Sequence, residues 1–94
     1  MTTPETKVKN KVKALLKKHG AYWLKPVMNG MGAPALDFHC IHRGRGFCIE
    51  TKAGNKKPTP RQETTINQIR LAGGLAFVVN EVSGLDDLEY WLTS

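Results

Sequence analysis

At 94 residues, 40% hydrophobic and 23% charged, the chain has room for one small domain and is too apolar to remain disordered. No apolar run approaches the roughly 18 residues of a membrane span, and two cysteines, Cys40 and Cys48, supply no disulfide framework. The net charge of +6 is unevenly divided: residues 1–62 hold 13 Lys or Arg against Glu5, Asp37 and Glu50, while residues 63–94 hold Arg70 against Glu63, Glu81, Asp86, Asp87 and Glu89. That asymmetry favours a polyanionic partner, nucleic acid first.

The stretch TPETKVKNKVKALLKKHG, residues 3–20, predicts a helix. Val8, Val12, Leu15 and Leu16 recur at helical spacing, Thr3 is placed to cap, Pro4 suits the first turn and Gly20 ends it. AYWLKPVM, residues 21–28, reads as a strand whose Pro26 argues for a sheet edge. NGMGAP, residues 29–34, is a turn. ALDFHCIH and FCIETKA follow as strands around RGRG, residues 43–46. A four-residue loop there would set Asp37 opposite Lys52, His39 opposite Glu50 and Ile41 opposite Cys48.

After the basic loop NKKP, Thr59, Pro60 and Gln62 open a second helix with the Thr-x-x-Gln form of a capping box. Ile66, Ile69 and Ala72 stripe it, and Gly73-Gly74 stop it. LAFVVN reads as a strand covered on both faces, and SGLDDLEYWLTS as a closing helix with Leu85, Leu88 and Leu92 inward. The expectation is one α/β domain over residues 1–94, a small mixed sheet flanked by helices in the order α-β-β-β-α-β-α.

Glu50 and Lys52 stand two residues apart in an otherwise apolar strand, so both side chains leave by the same face. Buried charge needs a partner or a use. Asp37, Glu50 and a neighbouring main-chain carbonyl form an oxygen-rich nest suited to Mg²⁺ or Mn²⁺. A lysine beside such an ion can orient a nucleophile or stabilise charge developing on phosphorus. Strand alternation separates His39 and Cys48 from Cys40 and His42, so these four do not converge on a zinc ion. The cysteines read as small core residues, and Tyr22, Trp23, Tyr90 and Trp91 as core or subunit contacts.

Gly32-Ala33-Pro34-Ala35-Leu36-Asp37 followed by Ile49-Glu50-Thr51-Lys52 resembles the PD-(D/E)XK nuclease motif. The wider pattern, from the early helix with Glu5 to Pro60-Arg61-Gln62 opening a helix and the strand after it, is similar to the VRR-NUC (virus-type replication-repair nuclease) branch. Here Ala35 and Leu36 separate Pro34 from Asp37, where the motif commonly has proline directly before the acid. The resemblance implies a restriction-endonuclease-like core, with Asp37, Glu50 and the Thr51 main chain as metal ligands. It makes Lys52 the catalytic lysine, with Glu5 and Gln62 completing the site. Helix chemistry alone also accounts for an acid at Glu5 and a glutamine at Gln62.

The resemblance further implies an Mg²⁺-dependent endodeoxyribonuclease, with Mn²⁺ able to substitute, acting on branched DNA as a homodimer in the manner of Holliday-junction resolvases. A viral or prophage origin, in a phage-infected host, is suggested by the family name alone. A general or restriction-type nuclease on the same fold and a non-catalytic nucleic-acid-binding domain are the rival readings. Arg43, Arg45, Lys56, Lys57 and Arg61 are the expected phosphate contacts, which give affinity without base specificity. No small-molecule cofactor and no membrane contact are expected, and the absence of an apolar leader predicts a cytoplasmic location.

Overall fold

The computed structural model describes residues 3–26 and 35–94. The turn expected at residues 29–34 and the end of the strand expected at 21–28 lie outside them. Thr3 caps the first helix, its hydroxyl accepting the Thr6 N–H at 3.1 Å. Pro4 sits where its missing N–H would have had no partner. This helix, α1, spans Pro4–Lys18 and buries Val8, Val12, Leu15 and Leu16, the expected stripe.

Four strands follow, β1 (Tyr22–Leu24), β2 (Phe38–His42), β3 (Arg45–Thr51) and β4 (Leu75–Val79), forming one sheet in the order β1-β2-β3-β4. β1–β2 and β2–β3 pair antiparallel; β3–β4 pair parallel, with α2 (Pro60–Leu71) as the crossover. α3 (Leu85–Thr93) closes the chain. The α-β-β-β-α-β-α order and the mixed sheet are those read from the sequence.

The hairpin register is not. Phe38 pairs with Ile49, His39 with Cys48, Cys40 with Phe47, and His42 with Arg45. Only Arg43 and Gly44 form the loop, both left-handed at φ 52° and 76°. Positive φ at both central positions is the type I′ geometry, whose twist matches that of the flanking strands. Arg45 and Gly46 therefore join the ladder, and each expected partner moves by two residues. Asp37 comes to the level of Glu50 rather than Lys52, His39 faces Cys48 rather than Glu50, and Ile41 faces Gly46 rather than Cys48. A shift of two preserves which face each side chain takes, so the expected sidedness survives.

α1 and α3 pack on one face against Phe38, Cys40, Phe47, Ile49 and Val79, with Leu88 and Leu92 closing the main core. Burial of each such large side chain contributes roughly 1.5–3 kcal/mol. Trp91 lies 4.6 Å from Phe47 and 5.6 Å from Phe77 between ring centroids, and Trp23 meets Phe38 edge-on at 5.6 Å. Both tryptophans are thus packing residues, whereas Tyr22 and Tyr90 are exposed.

α2 packs on the other face, Ile66 and Ile69 meeting Leu36, Cys48, Ala76 and Val78. Thr65 joins the buried side of α2, while Ala72, expected in its apolar stripe, is the exposed C-cap because the helix ends at Leu71. β4 is covered on both faces as expected, yet it is an edge of the sheet. Among the described residues no helix covers this second face of β1 and β2, leaving Tyr22, Leu24 and Ile41 exposed.

Candidate active site

β3 and β4 run parallel and end together at Thr51 and Val79. Asp37 precedes antiparallel β2, so it reaches the same end of the sheet. This end gathers Asp37, Glu50, Lys52 and Gln62.

Asp37 is held by one oxygen. Its Oδ2 accepts the Thr51 N–H at 2.8 Å and the Thr51 hydroxyl at 2.7 Å. Two donors on one oxygen leave little rotational freedom for the carboxylate. Its Oδ1 lies 3.8 Å from the Lys9 ammonium. Thr51, expected to supply a main-chain carbonyl, is fully buried, and its N–H and hydroxyl lock Asp37.

Glu50 is only 3% exposed. Its Oε2 accepts the Gln62 side-chain N–H at 2.8 Å and lies 3.6 Å from Lys52 Nζ. Burial first, and the Asp37 charge second, push the Glu50 carboxyl up to about 7; Lys52 and a backbone hydrogen bond from Asp37 offset part of that. A carboxylate poised near neutrality has the electrostatics of a functional group.

Gln62 forms the cap expected of it and also reaches Glu50. Its Oε1 accepts the Thr59 N–H at 2.9 Å while the Thr59 hydroxyl accepts the Gln62 N–H at 3.2 Å, completing the capping box. Its Nε2 then points into the site, at Glu50. The amide can serve two masters because its oxygen and nitrogen face opposite ways. Gln62→Glu should keep the cap and lose the donor. We expect that variant to be destabilised at pH 8 by about 1–3 kcal/mol, the penalty of an unpaired or repelled buried group, as read by chemical denaturation.

The loop after β3 is tethered to the segment after β4. Lys52 N–H donates to Val79 O at 2.9 Å, and Glu81 both accepts the Gly54 N–H at 2.8 Å and donates its own N–H to Gly54 O at 3.0 Å. Asn80 adds a bond to Lys56 O at 3.2 Å. Lys56 and Lys57 are exposed on this loop and Arg61 on the first turn of α2, all at the site's end of the sheet.

Other expected residues lie elsewhere. Arg43 donates to Ser94 O at 2.8 Å, and the Arg45 guanidinium stacks 4.5 Å from the Trp91 ring centroid. Both are at the opposite end of β3, about 20 Å away at the usual strand rise of ~3.3 Å per residue. Glu5 is in the first turn of α1, one helical turn before Lys9, and makes no hydrogen bond or ion pair among the described residues. His39 is exposed opposite Cys48, and buried His42 bonds Leu92 O at 2.9 Å. Burial lifts both thiols, Cys40 to about 12, so neither is a ready nucleophile.

Sequence reasoning missed Lys9, Asn80 and Glu81. Lys9 is one of six lysines on its helix, and composition did not distinguish it from the others.

The sequence matches no family model and no curated protein. Among solved structures, a VRR_NUC domain is similar with a TM-score of 0.79 and 28% identity, covering 93% of this chain and 95% of that one. The Hjc Holliday junction resolvase of Archaeoglobus fulgidus is similar with a TM-score of 0.59 and 17% identity, covering 86% of this chain and 77% of that one. The second likeness speaks to the fold alone. The first covers nearly the whole of both chains.

Proposed function

We propose that this chain, which carries the fold of a VRR-NUC nuclease domain, is a metal-dependent endonuclease that hydrolyses DNA phosphodiester bonds and prefers branched DNA. The observation that carries the reading is the buried Glu50, held by Gln62 and flanked by Lys52 at 3.6 Å, beside an Asp37 locked by Thr51. A fold alone would not justify a chemistry; this cluster does.

The donor set fits a hard divalent cation. Two carboxylates stand close enough to repel each other, and among the described residues no group of three or more His, Cys, Asp or Glu is gathered. Mg²⁺ is commonly bound in that way, through one or two carboxylates with waters and substrate phosphates filling the rest. Burial first and repulsion from Asp37 second raise the Glu50 carboxyl, and a bound cation would relieve that repulsion. When bound, Mg²⁺, or Mn²⁺ in its place, supplies Lewis acidity toward water and phosphate.

The chain's own residues supply the rest. Asp37 and Glu50 hold the cation, Asp37 oriented by Thr51 and Glu50 by Gln62. The Lys52 ammonium faces the same space and stabilises negative charge as the phosphate is attacked. Lys56, Lys57 and Arg61 provide phosphate contacts beside the site. A homodimer would place two such sites across a two-fold axis, as cleavage of a branched substrate on two strands requires. The exposed Tyr22, Leu24 and Ile41 offer apolar surface that it could bury.

The test is cleavage of four-way junctions, flaps, nicked and linear duplexes of matched sequence, with Mg²⁺, Mn²⁺ or EDTA. The junction is expected to be cut fastest, with no cutting in EDTA. Equal rates on junction and linear duplex would make this a general nuclease. Binding without cleavage of any substrate would make it a nucleic-acid-binding domain.

A further inference from the structure

We propose that Lys9 is an internal counter-cation: it pairs with Asp37 in the free protein and must leave that oxygen for a divalent metal to bind there. The inference rests on the metal-dependent reading above and concerns what controls metal affinity.

Its basis is which oxygens remain. Asp37 Oδ2 is committed to Thr51 by two short hydrogen bonds, so Oδ1 is the oxygen left to an incoming cation. That oxygen is the one Lys9 Nζ approaches, at 3.8 Å. Glu50 differs in that Gln62 and Lys52 both meet one oxygen, Oε2, at 2.8 and 3.6 Å, but it too has an ammonium beside it. With both carboxylates ionised, as metal binding requires, two negative charges are matched by two ammonium groups. The cluster then has little net charge with which to draw Mg²⁺ from solution.

The Lys9 pairing is built to be broken. A separation of 3.8 Å is too long for a hydrogen bond, and the Lys9 side chain is 24% exposed. A compact ammonium on a four-carbon stem can swing off Asp37 without disturbing the helix that carries it. Val8 and Val12, buried beside it, fix where that stem begins. An arriving phosphate gives the released ammonium a second partner. Metal and DNA would therefore load cooperatively, each tightening the other by the same factor.

The test is Mn²⁺ titration of the free protein, read by the electron paramagnetic resonance of unbound Mn²⁺, which needs neither DNA nor turnover. Lys9→Met keeps the stem and removes the charge; it is expected to bind Mn²⁺ about three- to tenfold more tightly, the range for a partly screened ion pair. Lys9→Arg is expected to keep the wild-type affinity, and Asp37→Asn to lose Mn²⁺. Unchanged or weaker binding by Lys9→Met, with Asp37→Asn still losing the ion, would overturn the role of Lys9 and leave the metal reading intact. Absence of Mn²⁺ binding by both wild type and Lys9→Met would overturn the two together.

Discussion

Glu50→Gln is expected to abolish cleavage and at the same time to stabilise the metal-free protein above neutral pH. On the metal-dependent reading, cleavage fails because the variant loses a charge that would hold the cation. Stability rises because that charge is unwelcome in the folded state. The Glu50 carboxyl is raised from 4.5 to about 7 by burial and by Asp37. Between those values the unfolded chain has released its proton while the folded chain keeps it. Folding then takes up a proton, and stability falls as pH rises through this window. Below it both states are protonated and no penalty exists; above it both are ionised and the penalty is complete. At about 1.4 kcal/mol per pH unit, the full penalty is on the order of 3 kcal/mol, large against the 5–15 kcal/mol that holds an ordinary domain together.

The measurement is urea denaturation in EDTA at pH 4.5 and pH 8. The difference in stability between Glu50→Gln and wild type should grow with pH by about 2–3 kcal/mol, and Mg²⁺ should restore part of the wild-type deficit. The new amide oxygen can still accept from Gln62, so the comparison isolates the charge. A difference that stays flat with pH would mean that Glu50 titrates normally, and the electrostatic argument for the site would fall.

Lys52→Ala is the second large effect. Its ammonium is 3.6 Å from Glu50 and mostly buried, so it acts in a medium that screens it weakly. Removing one charged donor from such a place is expected to lower the cleavage rate about 10²–10³-fold. DNA binding should persist, because Lys56, Lys57 and Arg61 remain. Lys52 also offsets the upward push on the Glu50 carboxyl. Its loss should therefore move the acidic limb of the pH–rate profile to higher pH. Single-turnover cleavage across pH, with binding measured in parallel, reads both effects. Should Lys52→Ala cut at the wild-type rate, the lysine has no part in the chemistry.

Much of this site was legible in the sequence, for a physical reason. The caps at Thr3 and Thr59, the buried stripe of α1 and the shared face of Glu50 and Lys52 all depend on residues close in the chain. Local spacing determines them whatever the rest of the fold does. Even an error in the hairpin register left the acidic face intact, because the shift was by two.

What the sequence by itself determined, then, is the order of elements, their caps and the face on which each charged residue sits. The tertiary structure decided the register, through left-handed backbone at Arg43 and Gly44 that spacing does not encode. It also decided which of six helix lysines meets Asp37, that Thr51 locks that acid, and that Glu81 ties down the basic loop. It sent Arg43 and Arg45 to the far end of the sheet. These are contacts between residues distant in the chain. Their energies depend on separation and burial, which exist only once the helices have closed over the sheet.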